Sequence, residues 1–163
     1  MSFPQLRIGL GLDVHPFSSV EQRPLVLAGV HLEGERGLVG HSDADVVAHA
    51  VADALLGAAG LGDLGRHFPD DSPQHLGADS LAILASVKEM VEAKGWRLVN
   101  ADCTVVAQTP RLSPYLDAMS ANLSTLIGAP ISLKAASPEL LGALGRSEGI
   151  ACMAVALLVA DER

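Results

Sequence analysis

The segment LRIGLGLDVH, residues 6–15, combines an apolar run with two polar side chains at its end. The run from Leu6 to Val14 predicts a β-strand. Residues two apart in a strand point to the same face, so the carboxylate of Asp13 and the imidazole of His15 should project side by side. The strand therefore predicts a pair of potential metal ligands.

His49 is a third potential ligand, from a segment with helical spacing. The stretch HSDADVVAH, residues 41–49, places two histidines and two aspartates at the start of an apolar helix that could return to the strand face. One carboxylate and two imidazoles suit zinc, with a fourth position open for water or substrate. Spacing alone does not separate this site from a strand-end Asp and a solvated His.

Asp45, His49 and Asp53 fall four residues apart and share one face of that helix. Asp53 is also typical of a solvated side chain, and Asp45 of a first-turn acid favoured by the helix dipole. Helix starts bind anions through free N–H groups, so His41 and Ser42 could hold a phosphate there. Ser42 is equally predicted as the N-cap, with Asp45 close to a capping-box position.

Three further segments carry candidate polar groups. Asp63 lies near glycines and either reaches ligand hydroxyls or belongs to a turn. Residues 107–111 follow a predicted strand and could present backbone groups and one guanidinium to a diphosphate. Arg146 and Glu148 precede an apolar strand and are also typical of an ion pair in a surface turn.

Composition indicates one acidic domain, residues 1–163, with a full hydrophobic core. Hydrophobic residues make up 49%, yet no apolar run reaches the ~20 residues that a membrane span requires. The apolar surplus is better explained by burial between subunits. The net charge of −8 argues against a general nucleic-acid binder, so phosphate chemistry would need metal ions or local cations.

The cysteines and the first residues indicate a cytoplasmic protein. Cys103 and Cys152 lie in apolar strand-like runs without a C-x-x-C motif, which predicts buried free thiols in a reducing compartment. Residues 1–7 do not have the pattern of a signal or transit peptide.

The order of predicted elements indicates an α/β or α+β domain with one main sheet covered by helices. Strands are predicted at residues 6–14, 25–31, 98–108, 131–136 and 150–160. Besides the helix after Ser42, helices are predicted from Ser80 to Lys94, with Gly95 after its end, and from Ser113 to Gly128. Gly9 and Gly11 lack the third glycine of a dinucleotide-binding motif, and no P-loop motif is present.

Several ordered motifs between Arg7 and Ala160 resemble the 2-C-methyl-D-erythritol 2,4-cyclodiphosphate synthase family. The motifs are Arg7-Ile8-Gly9, Asp13-Val14-His15, and residues 40–49, 53–59, 62–65, 68–70 and 145–151. The resemblance implies a homotrimer with active sites between neighbouring subunits. It also implies attack of the substrate's own 2-phosphate on the β-phosphorus of 4-diphosphocytidyl-2-C-methyl-D-erythritol 2-phosphate, with loss of CMP.

The resemblance assigns roles to individual residues. Zinc would bind Asp13, His15 and His49, and Glu139 would hold a second divalent ion, magnesium or manganese. His41 and Ser137 would act in catalysis, and Arg146 would lie near the trimer axis. The implied substrate-binding residues are Ser42, Asp63, Leu64, Gly65, Phe68, Pro69, Asp70, Asp71, Ser72, Ala107, Gln108, Thr109, Pro110, Arg111, Leu112, Ser113, Ala136 and Arg146.

Four positions depart from the family pattern. Ala136 and Ser137 stand where the family usually has a Thr-Thr pair, so one hydroxyl of the pair is missing. Arg111 replaces the usual lysine of the diphosphate loop and presents a planar fork instead of a point charge. Ala143 replaces an aromatic residue common near the trimer axis, where family members can bind isoprenoid diphosphates.

Two other functions are compatible with the same residues. A zinc phosphohydrolase would aim a metal-bound water at phosphorus and give a linear product. A non-catalytic trimeric binder of nucleotides or isoprenoid phosphates would retain its ligand without releasing CMP.

Overall fold

The main sheet of the protein contains four strands. The computed structural model describes residues 4–20, 22–69 and 77–161. The strands are β1 (Leu6–Pro16), β4 (Trp96–Val106), β5 (Ile131–Ala136) and β6 (Gly149–Ala160), and their spatial order is β1-β6-β4-β5. β6 runs antiparallel to both β1 and β4, whereas β5 runs parallel to β4. The predicted fold class, α/β or α+β with one main sheet covered by helices, is confirmed, and the sheet is mixed.

In the part of the chain that the structure describes, five helices accompany this sheet: α1 (Val46–Ala59), α2 (Leu64–His67), α3 (Ser80–Ala93), α4 (Leu116–Ile127) and α5 (Gly142–Gly145). α1 packs on β1 and β6, α4 packs on β5, and α3 packs on α1. The core therefore lies on one face of the sheet, where Cys103 and Cys152 are buried free thiols as predicted. None of the helices in the described ranges has the length and apolar character needed to cross a bilayer.

α1 lies directly against the backbone of β1. A Cβ atom at Gly9 would overlap the carbonyl oxygen of Ala54, and one at Gly11 would overlap that of Ala50. These two glycines therefore allow the backbones of α1 and β1 to approach closely. Because α1 can come this close, His49 is brought to the end of β1.

Residues 25–31 do not form the single predicted strand. They form a hairpin of β2 (Leu25–Leu27) and β3 (Val30–Leu32), turned by Ala28 and Gly29 at φ 49° and 71°. A two-residue turn with both φ values positive matches the twist of a hairpin. The sequence did not indicate this turn, because Ala28 belongs to the apolar run and alanine rarely adopts a positive φ.

Asp45, and not Ser42, is the N-cap of α1. Its buried carboxylate accepts hydrogen bonds from the N–H groups of Val47 and Ala48, and also from those of Ala28 and Gly29 in the hairpin turn. Burial raises the pKa of Asp45, and the backbone donors act in the opposite direction. The capping-box prediction was therefore wrong. The Asp45 carboxylate caps α1 itself and connects this helix to the turn between β2 and β3.

The other helix predictions were close. α3 begins at the predicted Ser80 and ends just before Lys94, with Gly95 at φ 78° beyond it. α4 begins at Leu116, three residues after the predicted Ser113, and ends before Gly128 as predicted. The segment from Ser113 forms a turn before the helix starts.

The second face of the sheet exposes a row of large apolar side chains. On β1 they are Leu6, Ile8, Leu10, Leu12 and Val14, each between 55% and 73% exposed. Met153 and Val155 of β6 continue the row at 44% and 46%. A contiguous apolar face of this kind is typical of a protein–protein interface. We call these seven residues the outer sheet face.

Candidate active site

Asp13, His15 and His49 converge at the end of β1. Oδ2 of Asp13 lies 2.9 Å from Nε2 of His15 and 3.0 Å from Nδ1 of His49. The two histidine nitrogens are 3.4 Å apart. The structure thus brings together the three ligands that were predicted from strand and helix spacing, and their donor atoms lie within 4.8 Å of one another.

The surroundings of the triad favour a bound cation. Nδ1 of His15 lies 2.6 Å from the carbonyl oxygen of Val39, which can only accept, so this nitrogen carries the proton. Nε2 of His15 then presents a lone pair to the triad. A ligand histidine commonly donates its second ring nitrogen in this way. Two imidazole nitrogens and one carboxylate oxygen fit a divalent metal ion of the zinc type.

The two histidines also affect the carboxyl group between them. Burial acts to raise the pKa of Asp13, but when the ring nitrogens that face it carry a proton, hydrogen bonds and charge interactions with His15 and His49 outweigh burial. The pKa of Asp13 is therefore held well below its usual range. The carboxylate is ionised at neutral pH and is ready to act as a ligand.

A cavity of about 250 Å³ opens beside the triad. Its lining includes predicted residues from three segments and three residues that were not predicted for the site, Gly40, Asp53 and Ile83. The full set is Asp13, His15, Gly40, His41, Ser42, His49, Asp53, Leu64, Gly65, Phe68 and Ile83. The cavity is therefore walled by the strand end, the loop before α1, and α2.

The loop that carries His41 and Ser42 is held from two sides. Nη2 of Arg23 donates to the carbonyl oxygens of Gly40 and Ser42, at 3.0 and 2.5 Å. On the other side, the carbonyl oxygen of His41 accepts from the N–H of Gly77 at 2.8 Å. The position of Ser42 beside the cavity is thus fixed by backbone contacts.

Asp53 and Asp63 shape the opposite wall. The sequence also allowed Asp53 to be a solvated helix residue. Instead, its Oδ1 accepts a hydrogen bond from the N–H of Leu64 at 2.7 Å. Burial raises the pKa of Asp53. Asp63 caps α2 by accepting from the N–H of Arg66 at 2.9 Å. These two carboxylates place Leu64 and Gly65 against the cavity.

A second cavity, of about 300 Å³, lies at the other edge of the sheet. It contains most of the predicted nucleotide-binding residues, and Thr109 precedes Pro110 through a cis peptide bond. The lining residues are Ala107, Gln108, Pro110, Arg111, Leu112, Ser113, Ala135, Ala136 and Ser137. β1 and β5 are opposite edge strands of this four-stranded sheet. At ~4.8 Å per strand, the two edges are about 14 Å apart.

Ser137 and Glu139 form a tight turn next to this second cavity. The hydroxyl oxygen of Ser137 accepts from the N–H of Glu139 at 3.0 Å, which leaves its hydrogen for another acceptor. Glu139 and Leu140 have φ values of 52° and 63°, and the N–H of Leu140 donates to Gln108. Glu139 is not part of the metal-ligand cluster found among residues 4–20, 22–69 and 77–161.

The remaining predicted residues are outside both cavities or outside the described ranges. Nε of Arg146 lies 2.7 Å from Oε1 of Glu148, so the two residues form the surface ion pair that was one of our alternatives. Pro69 is exposed. Asp70, Asp71 and Ser72 of the implied flexible wall lie outside the described residues.

Sequence reasoning missed Ser80 and Asp43 as parts of the site. Ser80 was predicted only as the start of a helix, yet its hydroxyl lies 2.9 Å from Nε2 of His49. Asp43 accepts hydrogen bonds from Ser80. A separation of 31 residues between Ser80 and His49 leaves no local spacing signal for this contact.

Known proteins of similar sequence match the chain over nearly its whole length. The YgbB family matches residues 6–159. A relative from Geobacillus thermodenitrificans, named 2-C-methyl-D-erythritol 2,4-cyclodiphosphate synthase, is 52% identical over 159 residues, covering 96% of this chain and 98% of the relative.

Solved structures agree with this match. IspF from Plasmodium falciparum, solved as a CDP complex, has a TM-score of 0.84 and 31% identity over 99% of this chain and 100% of its own. The bifunctional IspDF from Campylobacter jejuni has a TM-score of 0.92 and 40% identity over 97% of this chain, which spans 43% of that longer protein. The chain belongs to the YgbB family.

Proposed function

We propose that this protein converts 4-diphosphocytidyl-2-C-methyl-D-erythritol 2-phosphate to 2-C-methyl-D-erythritol 2,4-cyclodiphosphate and CMP, a step that supplies isoprenoid precursors. The main support for this proposal is the convergence of Asp13, His15 and His49 beside a cavity. An enzyme that acts on phosphates could bind its metal ion there. The relative named for this activity is 52% identical over nearly the whole length of both chains.

The triad would hold a zinc ion through Nε2 of His15, Nδ1 of His49 and Oδ2 of Asp13. When bound, a zinc ion there would supply a Lewis acid that orients and polarises a phosphate oxygen. The chain's own contribution is to keep both imidazoles in the ligand orientation. His15 is held by Val39 at 2.6 Å, and His49 is carried on α1 against β1.

His41 and Ser42 would bind the reacting phosphate at the cavity wall. Ser42 is 8% exposed and His41 lies beside it, so both side chains meet a ligand in a place partly shielded from water. Arg23 donates to this loop and adds positive charge behind it. Asp63 and Gly65 would contact the erythritol hydroxyls from the opposite wall.

The second cavity would receive the cytidine diphosphate. Backbone groups of residues 107–113 and the Arg111 guanidinium would contact the base and the diphosphate. Ser137 would donate its hydroxyl hydrogen to a phosphate oxygen, and Glu139 would hold magnesium or manganese on the diphosphate. The Plasmodium falciparum relative forms a CDP complex, which supports a cytidine nucleotide as the ligand of this fold.

The reaction needs no protein base, because the nucleophile is already an anion. An oxygen of the 2-phosphate forms a bond to the β-phosphorus, and the bond from that phosphorus to the bridging oxygen breaks. CMP departs with the bridging oxygen and its electron pair. The enzyme's task is therefore positioning and charge neutralisation, which suits a chain with net charge −8 that relies on bound cations.

The substrate must meet both cavities at once, which supports an assembly with sites between subunits. Within one chain the cavities lie on opposite edge strands, about 14 Å apart. The outer sheet face is exposed in the single chain, and so are the side chains of Leu140 and Leu141, at 73% and 74%. Apolar surface of this extent is typically buried against another subunit. We propose a homotrimer in which residues 107–113 of one chain reach the triad of the next.

The direct test is to incubate purified protein with the substrate, zinc and magnesium, and to follow CMP and the phosphate products by chromatography and ³¹P NMR. The proposal predicts one CMP for each cyclic diphosphate formed, with His49→Ala inactive. Release of CMP with a linear phosphate would identify a phosphohydrolase instead. Retention of the substrate without CMP would identify a binding protein.

A further inference from the structure

The second ring nitrogen of His49 is held by a serine from another helix. Nδ1 of His49 faces Asp13 and His15, whereas Nε2 points away from them and lies 2.9 Å from the hydroxyl of Ser80. Ser80 is the first residue of α3 and is 1% exposed. The same hydroxyl also contacts the carboxylate of Asp43 and, at 3.2 Å, the hydroxyl of Ser42. The direction of these hydrogen bonds therefore determines what Ser80 offers to the imidazole.

Behind Ser80 lies the carboxylate of Asp43. The hydroxyl of Ser80 donates to Oδ1 of Asp43 in a short hydrogen bond, and the N–H of Ser80 donates to Oδ2 at 3.1 Å. A carboxylate can only accept, so the hydroxyl hydrogen of Ser80 is directed to Asp43. Only the lone pairs of Ser80 then remain for His49.

This direction determines where His49 carries its proton. Because Ser80 offers His49 a lone pair, Nε2 of His49 must be the donor and must bear the hydrogen. A neutral imidazole carries one proton, so Nδ1, which lies 3.0 Å from Oδ2 of Asp13, would keep a lone pair for a metal ion held between the two groups. The hydroxyl of Ser42, 3.2 Å from the same Nε2, is a second and longer acceptor.

We propose that Ser80, oriented by Asp43, is the positioning residue that sets the metal-binding form of His49. The proposal rests on the metal site of the proposed function. Ser80 acts through His49 and lies behind it, so it has no contact with substrate. Second ligand-shell contacts of this type are typically worth about 10–100-fold in metal affinity or activity.

The same residues also connect the metal site to the phosphate-binding loop. Asp43 follows His41 and Ser42 directly, and its N–H donates to the carbonyl oxygen of Ala78 at 3.0 Å. The start of α3 therefore supports both the metal ligand and the loop. Loss of the Ser80 hydroxyl should weaken metal binding first, since the backbone contacts of the loop stay in place.

The test is a titration of metal-free protein with Co²⁺, followed by its visible absorption, and with Zn²⁺ by competition against a chelator. Ser80→Ala removes the acceptor, and Asp43→Asn allows the hydrogen-bond direction to reverse. Ser86→Ala is the matched control, because Ser86 lies on the same helix and its hydroxyl donates to the carbonyl oxygen of Ala82, away from His49. Ser80→Thr keeps the hydroxyl and tests rescue.

We expect Ser80→Ala and Asp43→Asn to lose about 10–100-fold in metal affinity and to alter the Co²⁺ spectrum. Ser86→Ala and Ser80→Thr should stay near the wild-type values, and Ser80→Ala should regain kcat at saturating zinc. Equal affinity in Ser80→Ala and wild type would overturn the proposal. If Ser80→Ala does not fold, Asp43→Asn decides the question. A wild-type protein that binds no metal would instead contradict the metal site itself.

Discussion

Nδ1 of His49 lies 3.0 Å from Oδ2 of Asp13, although the two residues are 36 positions apart in the chain. The contact exists because α1 crosses β1 at Gly9 and Gly11, where no side chain separates helix from strand. The candidate metal site is thus a direct product of backbone packing.

Replacing His49 should empty the metal site without unfolding the protein. The wild type should bind about one zinc per chain, because three ligands converge. His49→Ala should fall to near zero in metal content and activity, since two ligands do not hold zinc against dialysis. His31→Ala is the control, because His31 is an exposed residue of β3. Metal analysis that finds full zinc in His49→Ala would show that the triad is not the site.

Adding one methyl group at Gly11 should destabilise the fold and disturb the site together. A Cβ at Gly11 would overlap the carbonyl oxygen of Ala50, so α1 must shift away from β1. We expect a loss of about 3 kcal/mol in the free energy of unfolding by urea, with weaker zinc binding.

Gly57→Ala is the matched control for Gly11→Ala. Gly57 lies in α1, and the nearest atom to a Cβ there is 4.0 Å away. Ala should stabilise a helix interior relative to Gly by up to about 1 kcal/mol. The packing account would be wrong if Gly11→Ala and Gly57→Ala had the same stability at equal protein concentration.

The sequence predicted the ligands of the metal site better than the elements that support it. Alternation in a strand and the polar start of a helix are local patterns, so Asp13, His15 and His49 could be found from spacing. Spacing could not predict the turn at Ala28 and Gly29 or the capping role of Asp45. The hydrogen bonds of Asp45 to that turn join residues 16 or 17 positions apart.

Ser80 and the glycines of β1 show the same limit. Gly9 and Gly11 resemble half of a nucleotide-binding motif, and only the approach of α1 reveals their packing role. Ser80 looks like any residue at a helix start until α3 is placed beside His49. For residues 107–111 the sequence itself indicated only backbone groups and one guanidinium for a diphosphate, and the remaining assignments to the second cavity came from the resemblance.

A charge on the outer sheet face should prevent assembly. Ile8 is 73% exposed in the single chain and lies in the middle of the apolar row on β1. Ile8→Arg should therefore give monomers with lost activity, because burying an unpaired charge in an interface is costly. Val20→Arg is the control, since Val20 is 61% exposed but lies outside the sheet. Light scattering that finds an active wild-type monomer at micromolar concentration would contradict the trimer.

Removing the Ser137 hydroxyl should slow CMP release without changing zinc content. Loss of one transition-state donor typically costs ~10²–10³ in kcat. Ala136 has no hydroxyl to compensate, so Ser137→Ala should show the full effect. Ser86→Ala serves as the control, because Ser86 lies on α3 and its hydroxyl donates to the carbonyl oxygen of Ala82.

Glu139→Gln should act differently from Ser137→Ala. It should raise the magnesium or manganese concentration needed for half-maximal rate while leaving zinc content unchanged. A Ser137→Ala enzyme with nearly the wild-type rate would mean that the hydroxyl only supports the turn to Glu139.

The central claim is that the substrate's own 2-phosphate, and not water, attacks the β-phosphorus. The most direct measurement is the reaction run in H₂¹⁸O, with both phosphorus products analysed by mass spectrometry. Our account predicts a cyclic diphosphate and CMP that both lack ¹⁸O. One ¹⁸O atom in either product, together with a linear phosphate, would show that the protein is a hydrolase.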